Sequence, residues 1–514
     1  MLVKTYSAAV IGIDAIVVTI EVAVSRGVQY SIVGLPDTAV KESHERVLSA
    51  IRQSGFAMPR SSVIVNMAPA DVKKEGAAYD LPIAVALMVG AQLIEAPDLD
   101  KYMILGELSL DGTLRPVKGV LPMAIEARKC GYRGIIVPDG NATEAAVVNN
   151  LDVYGMNSLR EVVDMLTGAT RPSPVQYDTR AEFARAQAQF DFDFNEVKGQ
   201  ENVKRAFEVA CAGGHNILLV GPPGSGKSML SKRLPSIMPP LTLSEALETT
   251  KIHSVAGKLK SGSRLMTTRP FRSPHHTISP VAIVGGGTNP MPGEISLAHN
   301  GILFMDEFPE FPRTVLEVLR QPLEDRCITI SRARYSVEYP AGFMLVASMN
   351  PCPCGYYNHP TKACTCPPGA VSKYLGRISG PLLDRIDIQV EIYPVPFEKL
   401  TAARDGEPSA VIRERVIKAR AIQTERFADE PQIHTNAQMN TRLINKWCIL
   451  DKESAEMLHR AMVRYDMSAR AYDRILKVAR TIADLAGSEQ IKSDHILEAI
   501  RYRNLDRGTW GATL

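Results

Sequence analysis

The apolar positions of the first 168 residues change their period repeatedly. Short β-branched runs at 15–20, 63–66 and 135–138 read as strands, whereas 39–54, 81–93 and 122–130 carry apolar residues at helical spacing. Their alternation predicts an α/β or α+β domain over residues 1–168. The pattern then breaks, because Arg171-Pro172-Ser173-Pro174 and a polar Ala- and Gln-rich run predict a linker over 169–190, extended at first and then able to turn helical. Strands and helices alternate again over 191–396, as in an α/β core. Within a connector at 397–438, residues 409–427 predict a helix with Val411, Val416, Ala419 and Ile422 on its apolar face. Its basic residues Arg413, Arg415, Lys418 and Arg420 are expected on a solvated flank. Three helical patterns with few strand signals make 439–514 a small helical lid.

Charge adds little to this picture. Lys plus Arg number 59 against 56 Asp plus Glu, so any nucleic-acid contact must come from local clusters. The longest apolar stretch, 81–94, is short for a bilayer and contains Gln92, and Lys4, Asp14 and Glu21 interrupt any signal-peptide core. A cytoplasmic protein without a membrane partner is expected. Cys130, Cys211, Cys327 and Cys448 are scattered, which argues against a disulfide framework.

The core carries the chemistry. A buried-strand pattern at 217–220 runs into Gly221-Pro222-Pro223-Gly224-Ser225-Gly226-Lys227-Ser228, a Walker A loop between strand and helix. Its glycines let backbone N–H groups converge on the phosphates of ATP, Lys227 reaches the β- and γ-phosphates, and the Ser228 hydroxyl ligates Mg²⁺. A second apolar strand ends in Asp306-Glu307, where Asp306 is expected to hold Mg²⁺ and Glu307 to polarise the attacking water. Taken alone, such a pair is more often an acidic cap at a helix N-terminus; following a Walker A loop at this distance, it reads as catalytic. A third strand ends at Asn350, either a residue that orients the water or a turn-former before Pro351.

Strand, Walker A loop, Asp-Glu strand, Asn strand and Leu382-Leu383-Asp384-Arg385-Ile386-Asp387 resemble the AAA+ order. That resemblance implies that Arg385 is an arginine finger acting on a neighbouring subunit; the alternative is a local ion pair with Asp384 or Asp387. Phe271-Arg272-Ser273-Pro274-His275-His276-Thr277 and Pro292-Gly293-Glu294-Ile295-Ser296 are similar to the magnesium-chelatase-like AAA+ group. With Ser468-Ala469-Arg470-Ala471-Tyr472 in the lid, the whole chain resembles the ComM/YifB family. The resemblance implies a homo-hexameric ring and an ATP-driven DNA helicase promoting branch migration in natural transformation. It also implies a sensor role at the nucleotide for Arg470, with Arg474 one turn on as the alternative. His275 and His276 lack further ligands at usable spacing and are expected to be structural.

The first domain resembles the proteolytic domain of Lon through Lys74-Glu75-Gly76-Ala77-Ala78-Tyr79-Asp80 and the run Leu105-Gly106-Glu107-Leu108. Ala78 and Met123 stand where the resemblance would place the Ser nucleophile and Lys base, so a scaffold without peptidase chemistry is expected.

Two further clusters remain. Cys352-Pro353-Cys354 and Cys364-Thr365-Cys366 are two C-x-C knuckles nine residues apart, able to surround Zn²⁺. Free thiols or a redox pair are the alternatives, and His359 is a possible substitute ligand. The strand-like runs flanking Ser331-Arg332-Ala333-Arg334 predict a hairpin, and Arg332 and Arg334 at its tip are candidate DNA-phosphate contacts. The alternative is an ordinary charged turn. For the whole chain, the rival to a DNA motor is a chelatase- or chaperone-type ATPase that remodels a protein partner.

Overall fold

The computed structural model describes the chain except residues 180–182, 184–189, 191, 260–264, 288–289, 333–334, 360, 396–405 and 504–514. It forms two compact units: one of 1–186 with 242–267 and 290–292, the other of the remaining residues. Among the described residues, no helix is long and apolar enough to cross a membrane.

The first unit is built on a seven-stranded sheet of order β3-β4-β2-β1-β5-β6-β7. Its strands are β1 (Leu2–Ile11), β2 (Asp14–Arg26), β3 (Tyr30–Val33), β4 (Ser61–Ala68), β5 (Tyr102–Ile104), β6 (Gly134–Pro138) and β7 (Asp152–Met156). A tight turn at Gly12, with φ +64°, joins β1 to β2 in an antiparallel hairpin running from Leu2↔Ala23 to Ile11↔Asp14. The helices are α1 (Ser43–Gln53), α2 (Asp80–Gly90), α3 (Val120–Lys129), α4 (Asp139–Ala145) and α5 (Leu159–Leu166). The apolar run 81–88 is therefore a core helix: Leu81, Ile83, Val85, Leu87 and Met88 are all fully buried. Past the last helix, the Val175 N–H donates to Val153 O at 2.8 Å, so the expected linker begins as an extended segment beside β7.

Residues 242–267, expected within the 191–396 core, belong to this first unit. A buried carboxylate ties this segment to it. Glu144 on α4 accepts from Leu121 N at 3.0 Å and from Ser254 Oγ at 2.5 Å, and Ser254 lies on the helix Leu243–Val255. Without such donors the carboxylate would be stranded in an apolar site. Lys251 on the same helix reaches Asp14 at 2.6 Å.

The second unit carries a five-stranded, wholly parallel sheet of order β9-β10-β13-β8-β14. Its elements are β8 (Ile217–Val220), β9 (Phe271–Arg272), β10 (Ile302–Met305), the hairpin β11 (Cys327–Arg332) and β12 (Tyr335–Pro340), β13 (Met344–Met349) and β14 (Ile388–Glu391). Every residue of β8, β10 and β13 is buried, as expected for a parallel sheet covered on both faces. Helix α6 (Glu201–Gly213) precedes β8, and α7 (Lys227–Lys232) follows it. The connector helix α8 (Ser409–Arg426) leads, among the described residues, to four lid helices rather than three: α9 (Thr441–Trp447), α10 (Lys452–Arg464), α11 (Ala469–Leu485) and α12 (Ser493–Arg501).

Two expectations for α8 need correction. Its buried face is Ile412, Val416, Ala419 and Gln423, while Val411 and Ile422 are 45% and 37% exposed. Nor is its basic flank simply solvated. Arg420 donates to Cys211 O and Ala212 O at 2.8 and 3.1 Å, and Arg413 to Met238 O at 3.1 Å. Carbonyls at the end of α6 lack intrahelical partners, and the Arg420 fork supplies donors to two of them.

Candidate nucleotide site

β8 delivers the chain straight into the Walker A loop. Gly221 has no room for a side chain, since a Cβ there would stand 2.5 Å from Ile392 O. Gly224 and Gly226 take φ +77° and +88°, which favour glycine. The Ser225 Oγ is buried and has no hydrogen-bond partner among the described residues, a loose polar end inside the loop that fits a ligand oxygen.

The expected residues converge here. Lys227 Nζ donates to Gly221 O at 2.7 Å, Pro222 O at 2.9 Å and Asn350 Oδ1 at 3.2 Å. Burial pulls its ammonium below the ordinary lysine range, against the Asp306 and Glu307 carboxylates that favour the charge. Ser228 Oγ donates to Asp306 Oδ2 at 2.5 Å, and Ser348 Oγ donates to Asp306 Oδ1. A hydroxyl and a carboxylate in contact, beside a lysine, are a donor set suited to Mg²⁺ with a polyphosphate.

Glu307 follows in the left-handed region at φ +54°, with its side chain 57% exposed. Its Oε2 lies 3.2 Å from His276 Nδ1, whose ring meets His275 at 4.1 Å between centroids and Phe311 edge-on at 6.4 Å. Ser348 and His276 touch Asp306 and Glu307, contacts that the sequence reading did not foresee. A serine in an otherwise apolar strand was the only local signal for the first; the histidine pair was read as structural.

The arginines divide. Arg385 is 7% exposed, with Nη2 on Glu324 and Nη1 on Pro381 O, so its ion-pair partner within the chain is neither Asp384 nor Asp387. Asp387 is instead held by His215 Nδ1 at 3.0 Å and Arg474 Nη1 at 2.8 Å. Burial alone would raise its carboxyl, but Arg474 and His215 outweigh that and hold it far below the usual range. Arg474 is thus committed to Asp387, whereas Arg470 is 67% exposed and 3.6 Å from Asp384.

β11 and β12 pair from Cys327↔Pro340 to Arg332↔Tyr335, forming the expected hairpin. Arg332 ends β11, and Arg334 lies outside the described residues. Just beyond Asn350, the four sulfurs of Cys352, Cys354, Cys364 and Cys366 lie within 4.8 Å of one another. Cys352 Sγ is 3.3 Å from Cys354 Sγ and 3.7 Å from Cys364 Sγ. A tetrahedral Zn²⁺ with bonds near 2.3 Å sets sulfurs about 3.8 Å apart, so the thiols fit the ion. His359 stays out of the cluster, its Nδ1 accepting from the backbone of Thr361 and Lys362 at 3.2 and 3.1 Å.

In the first unit, Met123 is buried on α3 and Ala78 is partly buried, with neither a hydroxyl nor an amine at those positions. The nearby motif is held by polar contacts instead. Arg46 grips Asp80 through Nε and Nη2 at 2.7 and 3.0 Å, and Lys74 is buried with its Nζ on Pro69 O.

Three family models match the chain: "Subunit ChlI of Mg-chelatase" over 20–141, "Magnesium chelatase, subunit ChlI" over 193–400, and "Magnesium chelatase, subunit ChlI C-terminal" over 406–503. The chain is 44% identical to protein YifB of Salmonella typhimurium, covering 98% of this chain and 97% of that one. It is 42% identical to competence protein ComM of Haemophilus influenzae, covering 98% and 97%. A weaker likeness, 27% over 165 residues, joins 30% of this chain to 21% of a Lon protease from Halothermothrix orenii. The family implies ATP and Mg²⁺, the ligands that the loop and its carboxylate fit, and the chain belongs to the ComM/YifB family of magnesium-chelatase-like AAA+ proteins.

Proposed function

We propose that this chain is an ATP-hydrolysing motor that works on DNA as a homo-hexameric ring, promoting branch migration during natural transformation. The observation that carries the hydrolytic part is the convergence of Lys227, Ser228, Asp306 and Asn350 on one Walker A loop. Lys227 and the loop residues Gly221, Pro222, Pro223, Gly224, Ser225 and Gly226 bind the phosphates of ATP. Ser228 and Asp306 would hold Mg²⁺, which would neutralise phosphate charge. Glu307 activates the attacking water and Asn350 orients it. Arg385 serves as the finger for the adjoining subunit; Glu324, 53% exposed, is the partner it must leave. Arg470, exposed on the lid, is the sensor of the bound nucleotide. Cys352, Cys354, Cys364 and Cys366 hold Zn²⁺.

Support for DNA as the substrate comes from the relative named as a competence protein and from the hairpin whose first strand ends at Arg332. One or two phosphate contacts per subunit, repeated around a ring, give a basic collar that grips the backbone without reading sequence. The test is the double variant Arg332→Ala/Arg334→Ala. Forked or Holliday-type DNA should stimulate ATP turnover in the parent, and the variant should lose that stimulation and strand displacement while keeping basal hydrolysis and assembly. Turnover in the parent indifferent to every DNA structure would point to a protein substrate instead.

A further inference from the structure

The segment that carries the cysteines has almost no core of its own. Between Cys352 and Val371, Gly355 is the one buried position among the described residues; every other side chain there is exposed or partly so. A chain of this length without an apolar core needs another source of order, and a four-thiolate metal site is one. The cluster closes on itself through sulfur contacts of 3.3, 3.5 and 3.7 Å, and the Tyr357 N–H points at Cys352 Sγ at 3.3 Å.

What the single buried position touches is the nucleotide loop. Gly355 sits at φ +84°, in the turn between the knuckles, and a Cβ on it would stand 2.6 Å from Pro223 Cδ and 3.3 Å from Pro223 Cγ. Pro223 is the third residue of the Walker A loop, and its ring cannot swing away. The opposite wall is Ile392 O against Gly221, so the start of the loop is held between β14's end and the cysteine turn. Two more links join the same parts: Gly221 N donates to Met349 O at 3.1 Å, and Lys227 Nζ to Asn350 Oδ1 at 3.2 Å, two residues before Cys352. A loop with two positive-φ glycines is conformationally permissive and must be held from outside if it is to meet phosphates preorganised.

We propose that the metal-bound cysteine turn is a brace for the Walker A loop: the ion fixes the turn 352–355, and Gly355 in turn positions Pro223 for nucleotide binding. The inference rests on reading the thiols as a Zn²⁺ site and the loop as an ATP site. Gly355 is a positioning residue and touches no nucleotide itself. Emptying the site therefore loosens nucleotide binding while the sheet, whose core lies elsewhere, stays folded.

The experiment measures Zn²⁺ per chain, the affinity for a fluorescent ATP analogue, and the melting temperature of the ligand-free protein. Its samples are the parent, the parent stripped with a zinc-selective chelator in excess Mg²⁺, and Gly355→Ala. Stripping should weaken binding by about tenfold, reversed on returning Zn²⁺, with little change in melting. Gly355→Ala should keep its Zn²⁺ and show the same loss of affinity, because the added methyl displaces Pro223. Stripped protein that binds the analogue as the parent does would overturn the brace, as would a zinc-loaded Gly355→Ala protein with parental affinity. A parent that never carries metal defeats the zinc reading, and a parent that binds no nucleotide defeats the ATP reading; each differs from failure of the brace, in which both ligands bind independently.

Discussion

The ATPase core and the Lon-like domain are each built on a β-sheet flanked by helices, but they treat polar residues at the expected site in opposite ways. In the core, Lys227, Ser228, Asp306, Ser348 and Asn350 touch one another at the open ends of buried strands, and Glu307 stays largely exposed beside them. In the Lon-like domain the motif positions hold Ala78 and Met123, and the charged residues around them, Lys74 and Asp80, are buried and tied to Pro69 O and Arg46. A working site keeps its polar groups where a ligand can replace their partners. Around Ala78 and Met123 the charged side chains act as internal fasteners.

The largest effect should come from Glu307→Gln. The amide keeps the shape, leaves Lys227, Ser228 and Asp306 in place, and removes the base. Steady-state ATP turnover should fall by about 10²- to 10³-fold while ATP binding persists. Parental turnover in this variant would reassign the base.

The same comparison predicts a stability effect in the other domain. Asp80 is 1% exposed on its side chain, and besides Arg46 it accepts only from Leu108 N, at 3.3 Å, among the hydrogen bonds described. Burial pushes its carboxyl up to about 6, although Arg46 pulls the other way. The folded value lies above the unfolded one, so the neutral carboxyl's contribution to stability is fully present below about pH 4 and is lost as the pH rises through 6. Arg46→Ala strands the ionised group and should cost the domain about 3 kcal/mol at pH 8. The cost should shrink at pH 5, where Asp80 is protonated, and ATP binding by the core should not change. Urea melts at the two pH values, with ATP binding measured in parallel, read both halves of this outcome.

How much of this was legible beforehand depended on whether the cause was local. The Walker A loop, the Asp306-Glu307 strand and the cysteine knuckles each announce themselves within a few residues. β1 did not, because Thr5 and Ser7 interrupt its apolar pattern; both are buried, and the Thr5 hydroxyl is satisfied by Pro82 O at 3.2 Å. The face of α8 was misread by one position because Gln423, not Ile422, is buried, donating to Ala212 O at 3.0 Å. Ser348 finds Asp306 across 42 residues, and Ser254 finds Glu144 across 110. No local pattern encodes such pairings.

His276 tests the boundary between the two kinds of polar residue. It sits outside the strand ends, yet it contacts the exposed Glu307 carboxylate, whose backbone is already held at φ +54°. His276→Ala should leave ATP binding intact and lower turnover by about tenfold, since a misplaced base loses rate without loss of substrate contacts. Unchanged turnover would make the histidine pair structural.

The smallest expected effect is the most direct test of the reading that the Lon-like domain lacks peptidase chemistry. Ala78→Ser restores the hydroxyl that the Lon likeness calls for, at a partly buried position on the turn leading into α2. A serine hydroxyl is a weak nucleophile until a base removes its proton. Met123 offers no base, and Lys74 is not a replacement: burial lowers its amine below the ordinary range, but the Nζ is spent on Pro69 O within its own loop. The variant should therefore cleave no unfolded protein or fluorogenic peptide, with or without ATP. Its stability should lie within about 0.5 kcal/mol of the parent, as for a small substitution that breaks no contact of the main chain; the Gly106 N–H bond to Ala78 O, at 2.9 Å, does not involve the side chain. Peptide hydrolysis by Ala78→Ser, abolished again by a serine-reactive inhibitor, would mean that a base survives in this domain and that its charged residues are more than fasteners.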